Sequence, residues 1–193
     1  MQNIRESDAA AENVVFATKI EDVIGGITLA AADFVDGSIV PAGTLVYKDV
    51  NGLYHALKTA KATATATNVA TTYQVAKGHN FKVGEFFAAL PGAKSYDITA
   101  IDKSNAAYDV ITVSTTLGAV ISVGQGFFQA LAAVASTSAV IATPTAITGH
   151  TVEINAGDNN TVDAWLRASV IEANAPVATA ALKALVPQIL YLP

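Results

Sequence analysis

Residues 44–58 constrain the fold most. Thr44-Leu-Val-Tyr-Lys-Asp-Val50, then Asn51-Gly52, then Leu53-Tyr-His-Ala-Leu-Lys58 reads as a β-hairpin. Asn-Gly is the preferred pair for a two-residue type I′ turn, because both central residues need positive φ. Leu53, His55 and Leu57 then share one face of the second strand, opposite Tyr54, Ala56 and Lys58. Pro41-Ala42-Gly43 punctuates the approach to the first strand. The same texture of short strands begins at Val14 and dominates the rest of the chain.

Lys61-Ala-Thr-Ala-Thr-Ala-Thr67 is a low-complexity run that fits either an edge strand or a linker. Near Val69 the texture changes, and aromatics, Gly and Lys become denser. Ser95–Asp102 and Tyr108–Ser114 are two β-rich runs joined by Lys103–Ala107, whose Ser and Asn supply turn chemistry. A weak echo brackets this hairpin: Val83-Gly-Glu-Phe-Phe-Ala88 resembles Val123-Gly-Gln-Gly-Phe-Phe-Gln-Ala130. It points to two equivalent strands in a small barrel. After Ser136 the Val/Ile/Thr/Ala texture returns. Gly157–Asn160 is a turn between a strand at Thr151–Ile154 and another at Thr161–Ile171. Pro176 is placed in the first turn of a helix over Val177–Val186 that stops at Pro187. Leu182, Leu185 and Val186 fall on one face of that helix, and Gln188–Leu192 closes as a final strand. The expected fold is mainly β, a small β-barrel or sandwich base with an inserted β-rich module and one short C-terminal helix. Residues 1–13 form a flexible polar arm, 14–70 plus 134–193 the base, and 71–133 the insertion.

Composition narrows the function. Of 193 residues, 52% are hydrophobic and 14% charged, and Ala, Val and Thr together supply 79. Such a chain is not intrinsically disordered. With no cysteine it has neither disulfides nor thiolate metal sites. A net charge of −5 argues against nucleic acid. The most apolar stretch, Ala119–Ala142, is interrupted by Gly, Gln and Ser and does not read as a membrane helix. MQNIRESDAAAEN has mixed charge and no apolar core, so no secretory signal is read there and synthesis is expected in the cytoplasm. The excess of small apolar residues implies surface covered by a partner, most simply through homo-oligomerisation.

No constellation for chemistry emerges. His55, His79 and His150 lie on three separate segments without metal-ligand spacing, and are read as surface or half-buried residues rather than a metal site. Pro91-Gly-Ala-Lys-Ser95 superficially resembles a phosphate loop. It lacks the first glycine, Ala93 stands before Lys94, and it is read as a turn. Asp158-Asn159-Asn160 lacks the remainder of a calcium loop and is read as a solvated turn. Asn159-Asn160-Thr161 fits a glycosylation sequon but has no secretory route beside it. Adjacent Glu21 and Asp22 point to opposite faces of a strand. Trp165 is expected in core or interface. The expectation is no enzyme, with no catalytic, cofactor-binding or metal residues and no cofactor.

Three phrases resemble capsid decoration and head fibre proteins of tailed bacteriophages. They are Asp33-Phe-Val-Asp-Gly-Ser-Ile-Val-Pro-Ala-Gly-Thr-Leu-Val46 with Asn51-Gly-Leu53; Trp165–Glu172 with Leu182-Lys183 and Leu185–Ile189; and Tyr73–Gly84 continuing to Ala133. The resemblance implies a β-rich protein, favoured as a homotrimer, on the exterior of an assembled shell, binding the major capsid protein. It implies synthesis in a bacterial host or from a prophage, and touches neither nucleic acid nor membrane. Residues 1–13 would add a strand to an exposed capsid edge. The alternative is a tail, baseplate or surface module that binds host glycans, using Tyr47, Tyr54, Tyr96 and Tyr108 as a stacking platform.

Overall fold

The computed structural model describes residues 14–193, so the expected arm at 1–13 lies outside the described residues. Those described form sixteen strands and one short α-helix, a mainly β fold as the sequence indicates. The base sheet runs β1 (Phe16–Asp22), β15 (Ala164–Ile171), β12 (Ala146–Thr148), β4 (Leu45–Lys48), β5 (Tyr54–Ala56), β2 (Ile27–Leu29) and β14 (Asn160–Val162). β16 (Ile189–Leu192) lies parallel to β15 along Ala168–Ile171. A two-stranded pair, β3 (Ile39–Val40) and β13 (Val152–Glu153), packs over one face of this sheet.

The second sheet runs β6 (Thr59–Lys61), β11 (Gly126–Ala130), β8 (Phe86–Ala88), β9 (Ser95–Asp102), β10 (Asp109–Val113) and β7 (Thr72–Val75). Its two ends meet. The Ala76 N–H bonds Lys61 O at 2.8 Å, the Thr63 N–H bonds Gln74 O at 3.0 Å, and Ala62 bridges Val75. The sheet thereby curls into a small barrel, which removes its exposed edges. The first strand of this sheet is Thr59–Lys61, ahead of residue 71, where the inserted module is expected to begin. Ala60, Ala62 and Ala66 fill barrel positions with small side chains, so the Ala-Thr run is strand and bridge rather than linker.

The echoed Phe-Phe pairs explain how the barrel is both filled and attached. β8 and β11 are antiparallel neighbours, with Ala88 opposite Phe128 and Phe86 opposite Ala130. Side chains alternate along a strand. Phe87 and Phe127 therefore point into the barrel and stack at 4.5 Å between centroids, with Tyr73 and Phe81 edge-on to them. Phe86, Ala88, Phe128 and Ala130 point outward, into a second core against Leu45, Leu57, Ile147 and Leu182 of the base. Every residue of β11 is buried because each of its faces meets a core.

The turns before these strands are also alike. Gly84 (φ 90) and Gly124 (φ 85) hold the third position of turns closed by Glu85 N–H to Lys82 O and Gln125 N–H to Ser122 O. A positive φ of this kind favours glycine. In each, the following side chain folds back, Glu85 onto the Lys82 N–H at 2.8 Å and Gln125 onto the Ser122 N–H at 3.2 Å.

Two local expectations are corrected. The 44–58 hairpin forms, with Val46 opposite Ala56 and Lys48 opposite Tyr54. Its turn, however, closes from the Gly52 N–H to Asp49 O, and Gly52 but not Asn51 has positive φ. Asp49 Oδ1 accepts from the N–H groups of Asn51 and Leu53, which favours this longer loop over the two-residue form. The helix α1 spans only Ala180–Leu185. Thr179 caps it, accepting from the Leu182 N–H, so Pro176 lies before the helix rather than in its first turn. Leu182 and Val186 are buried, whereas Leu185, expected on the same face, is exposed.

Candidate functional site

Two regions stand out: a polar seam where the barrel meets the base, and an uncharged platform at the return from barrel to base. The seam is built around Lys58, where the chain crosses from β5 to β6. Its ammonium group, 2% exposed, pairs with Glu85 and donates to Asp33 O at 2.5 Å. Lys82 reaches Ala32 O at 2.7 Å, and Asn80 reaches Ile39 O at 2.7 Å. Three barrel side chains and Lys58 thus converge on the base and its Ala32–Ile39 backbone. Burial lowers the Lys58 pKa, and Glu85 opposes that shift.

Beside it, His55 stacks on Tyr47 at 5.3 Å, with Nδ1 2.7 Å from Asp33 and Nε2 3.6 Å from Asp49. Burial pushes the Tyr47 hydroxyl up to about 12, reinforced by Asp33, Glu85 and Asp49. This group joins the β4–β5 hairpin to the turn at Ala31–Asp33. Further along the seam, a groove lined by Pro41, Thr59, Lys61, His79 and Pro176 separates the two units. His79 is buried, deeper than the surface or half-buried position expected from the sequence, and it faces the buried Asp109, which Lys77 holds at 2.5 Å.

The platform carries the other signal. From Val110 through Val152 the chain contains no Asp, Glu, Lys or Arg. Much of that stretch is barrel interior, but Leu131–Ala133, Ala135–Thr137 and Ala139 are exposed in an irregular return segment. It is fastened to the turn at Leu90–Ala93: the Gly92 N–H bonds Ser138 O at 2.7 Å, and Ser138 Oγ bonds Leu90 O at 2.9 Å. Leu90 and Leu131 are 50% and 60% exposed. Lys94, the nearest charge in sequence, lies against Gly118 instead. The result is a fixed surface of Leu, Pro, Ala, Ser and Thr.

The remaining sequence candidates are consumed locally. Pro91–Ser95 belongs to the turn that Ser138 fastens. Asn160 closes its own loop, accepting from the Asn155 N–H and donating to Asn155 O. Trp165 packs on Phe16 at 6.4 Å, with Lys19 over both rings. His150 is exposed near Asp163. Glu21 and Asp22 are exposed along β1. Among the described residues no group of three or more His, Asp or Glu side chains is arranged to hold a metal ion, and no helix is long and apolar enough to cross a membrane. The four tyrosines do not share a platform. Tyr47 and Tyr54 project from opposite faces of the base sheet, while Tyr96 and Tyr108 belong to the barrel and its connection. Comparison with protein-family models, curated proteins and solved structures finds no match to this chain.

Proposed function

We propose that this chain is a non-enzymatic virion structural protein that decorates or projects from a tailed-phage capsid by binding the assembled major capsid protein. The observation that carries the reading is the uncharged, fixed platform at Leu90–Ala93 and Leu131–Ala139. Contiguous exposed apolar surface of this kind marks a protein interface rather than a solvated face. Supporting it, two of the three phrases that resemble decoration and head fibre proteins come together in one unit. Residues 33–46 supply β3 and the first half of β4, and Trp165–Glu172 with Leu182-Lys183 and Leu185–Ile189 supply most of β15, part of α1 and the start of β16. The polar seam, by contrast, uses its charged groups to fasten barrel to base.

The test is composition of the particle. Particles made by the phage or prophage that encodes the chain should contain it in fixed ratio to the shell subunit, and should lose none of it when emptied of DNA. Absence from purified particles, or release together with the DNA, overturns the assignment. Light scattering on the free protein tests the accompanying trimer proposal: a mass of three chains supports it, and a single-chain mass on and off the shell refutes it.

A further inference from the structure

We infer that His79 is an acid-operated latch on the seam between barrel and base. The latch is the loop Ala76–Phe81, which leaves β7 and runs along the groove between the two units. Asn80, with φ 59, turns this loop and bonds the base backbone at Ile39. His79 fixes the turn from inside. Its Nδ1 accepts the Phe81 N–H at 3.0 Å, which requires that nitrogen to be unprotonated. The proton of the neutral ring then sits on Nε2, 3.2 Å from Asp109 Oδ2 but too poorly aligned for a good hydrogen bond. A second proton therefore has no place in the closed arrangement: Nδ1–H and the Phe81 N–H would be two donors facing one another.

The surrounding charges set the balance. Asp109 on β10 favours the imidazolium, but its carboxylate is already engaged by Lys77 of the same loop, which also reaches Lys103 O. Lys103, from the β9–β10 connection, and Lys58, from the β5–β6 crossing, both oppose a second positive charge. Burial is the largest influence, and together they push the His79 pKa down to about 4 in the closed state. When the loop lifts, the ring meets water and regains a pKa near 6.5. Acid thus favours the lifted loop, which releases Phe81 and loosens the Asn80–Ile39 tie while leaving the Phe87–Phe127 core in place.

Amide exchange on the full chain, resolved by peptide and corrected for intrinsic rate, reads this directly. Between pH 6.5 and 4, protection of the Phe81 amide should fall roughly tenfold per pH unit and level off below about 4. Peptides containing Gly126–Ala130 should stay far better protected than Phe81 at every pH in that range, because that strand opens only with the whole fold. In His79→Gln, whose amide oxygen accepts from the Phe81 N–H but does not titrate, the fall should vanish. Equal protection at Gly126–Ala130 and Phe81 would show that Phe81 exchanges only by global unfolding and overturn the latch. So would an unchanged pH profile in His79→Gln, or a flat profile in the parent chain.

Discussion

The buried Lys58–Glu85 pair makes the sharpest demand on the seam. Replacing Glu85 by Gln keeps the acceptor that receives the Lys82 N–H but removes the charge opposite Lys58. Lys58 is left as an ammonium group 2% exposed, with the Asp33 carbonyl and the Phe34 ring, 5.5 Å away, as its remaining partners. Breaking a buried pair on one side costs about 3–5 kcal/mol. Asp33 O stays in place, so the loss should fall near the lower end, about 3 kcal/mol. For a chain of this size that is a drop of roughly 6–12 °C in Tm. The companion Lys58→Met in the Glu85→Gln background should recover most of it, because the uncompensated charge is gone. Burial already lowers the Lys58 pKa, so the unfolded chain holds this proton more tightly. Stability of Glu85→Gln should therefore rise as pH climbs toward about 10.5, as Lys58 discharges. Urea unfolding of the four proteins of this cycle gives the coupling energy. A loss below about 0.5 kcal/mol in Glu85→Gln, the value of a solvated surface pair, would refute the argument.

Phe87→Ala should cost about 3–5 kcal/mol by urea unfolding, because it removes the ring stacked on Phe127 at full burial, and Phe86→Ala should cost less. In Gly149→Ala the new Cβ would lie 2.7 Å from Trp165 Nε1 and 2.9 Å from Asp163 Cβ, so Trp165 must move. As the single tryptophan, it should report this by a shifted emission maximum alongside a lowered Tm, and an unchanged spectrum would contradict the packing. With the His79 pKa at about 4 in the folded chain and near 6.5 unfolded, the unfolded state binds the extra proton first as pH falls. Stability should decline by about 3 kcal/mol between pH 6.5 and 4 from this group, and the decline should be shallower in His79→Gln.

The parts of the fold legible in the sequence are those where local chemistry and tertiary position agree. The 44–58 hairpin, the 95–114 hairpin and the equivalence of the two Phe-Phe strands come from alternation and turn residues. The parts hidden from it depend on distant partners. Nothing near Lys58 announces that a strand-end lysine will be enclosed by Glu85 and Asp33. His79 looks like a turn residue until Asp109, from another strand, meets it. The helix reads too long in the sequence because Val177 and Ala178 suit a helix in isolation, and only the Thr179 cap fixes where it begins. The Ala-Thr run shows the reverse difficulty: its small side chains resemble a linker, yet Ala60 and Ala62 are fully enclosed barrel positions. The platform is legible only as an excess of small apolar residues, because sequence does not separate the enclosed Phe127 from the exposed Leu131.

Binding to emptied capsids puts the proposed role to the test: DNA-free shells of the phage proposed to encode the chain are incubated with purified chain and sedimented. The parent chain should pellet with the shells up to a fixed ratio. Leu131→Glu, which places a charge on the platform without touching either core, should lose at least about tenfold in affinity, equivalent to 1.4 kcal/mol, at unchanged Tm. A parent chain that stays in the supernatant, or a Leu131→Glu chain that pellets equally well, would contradict the account.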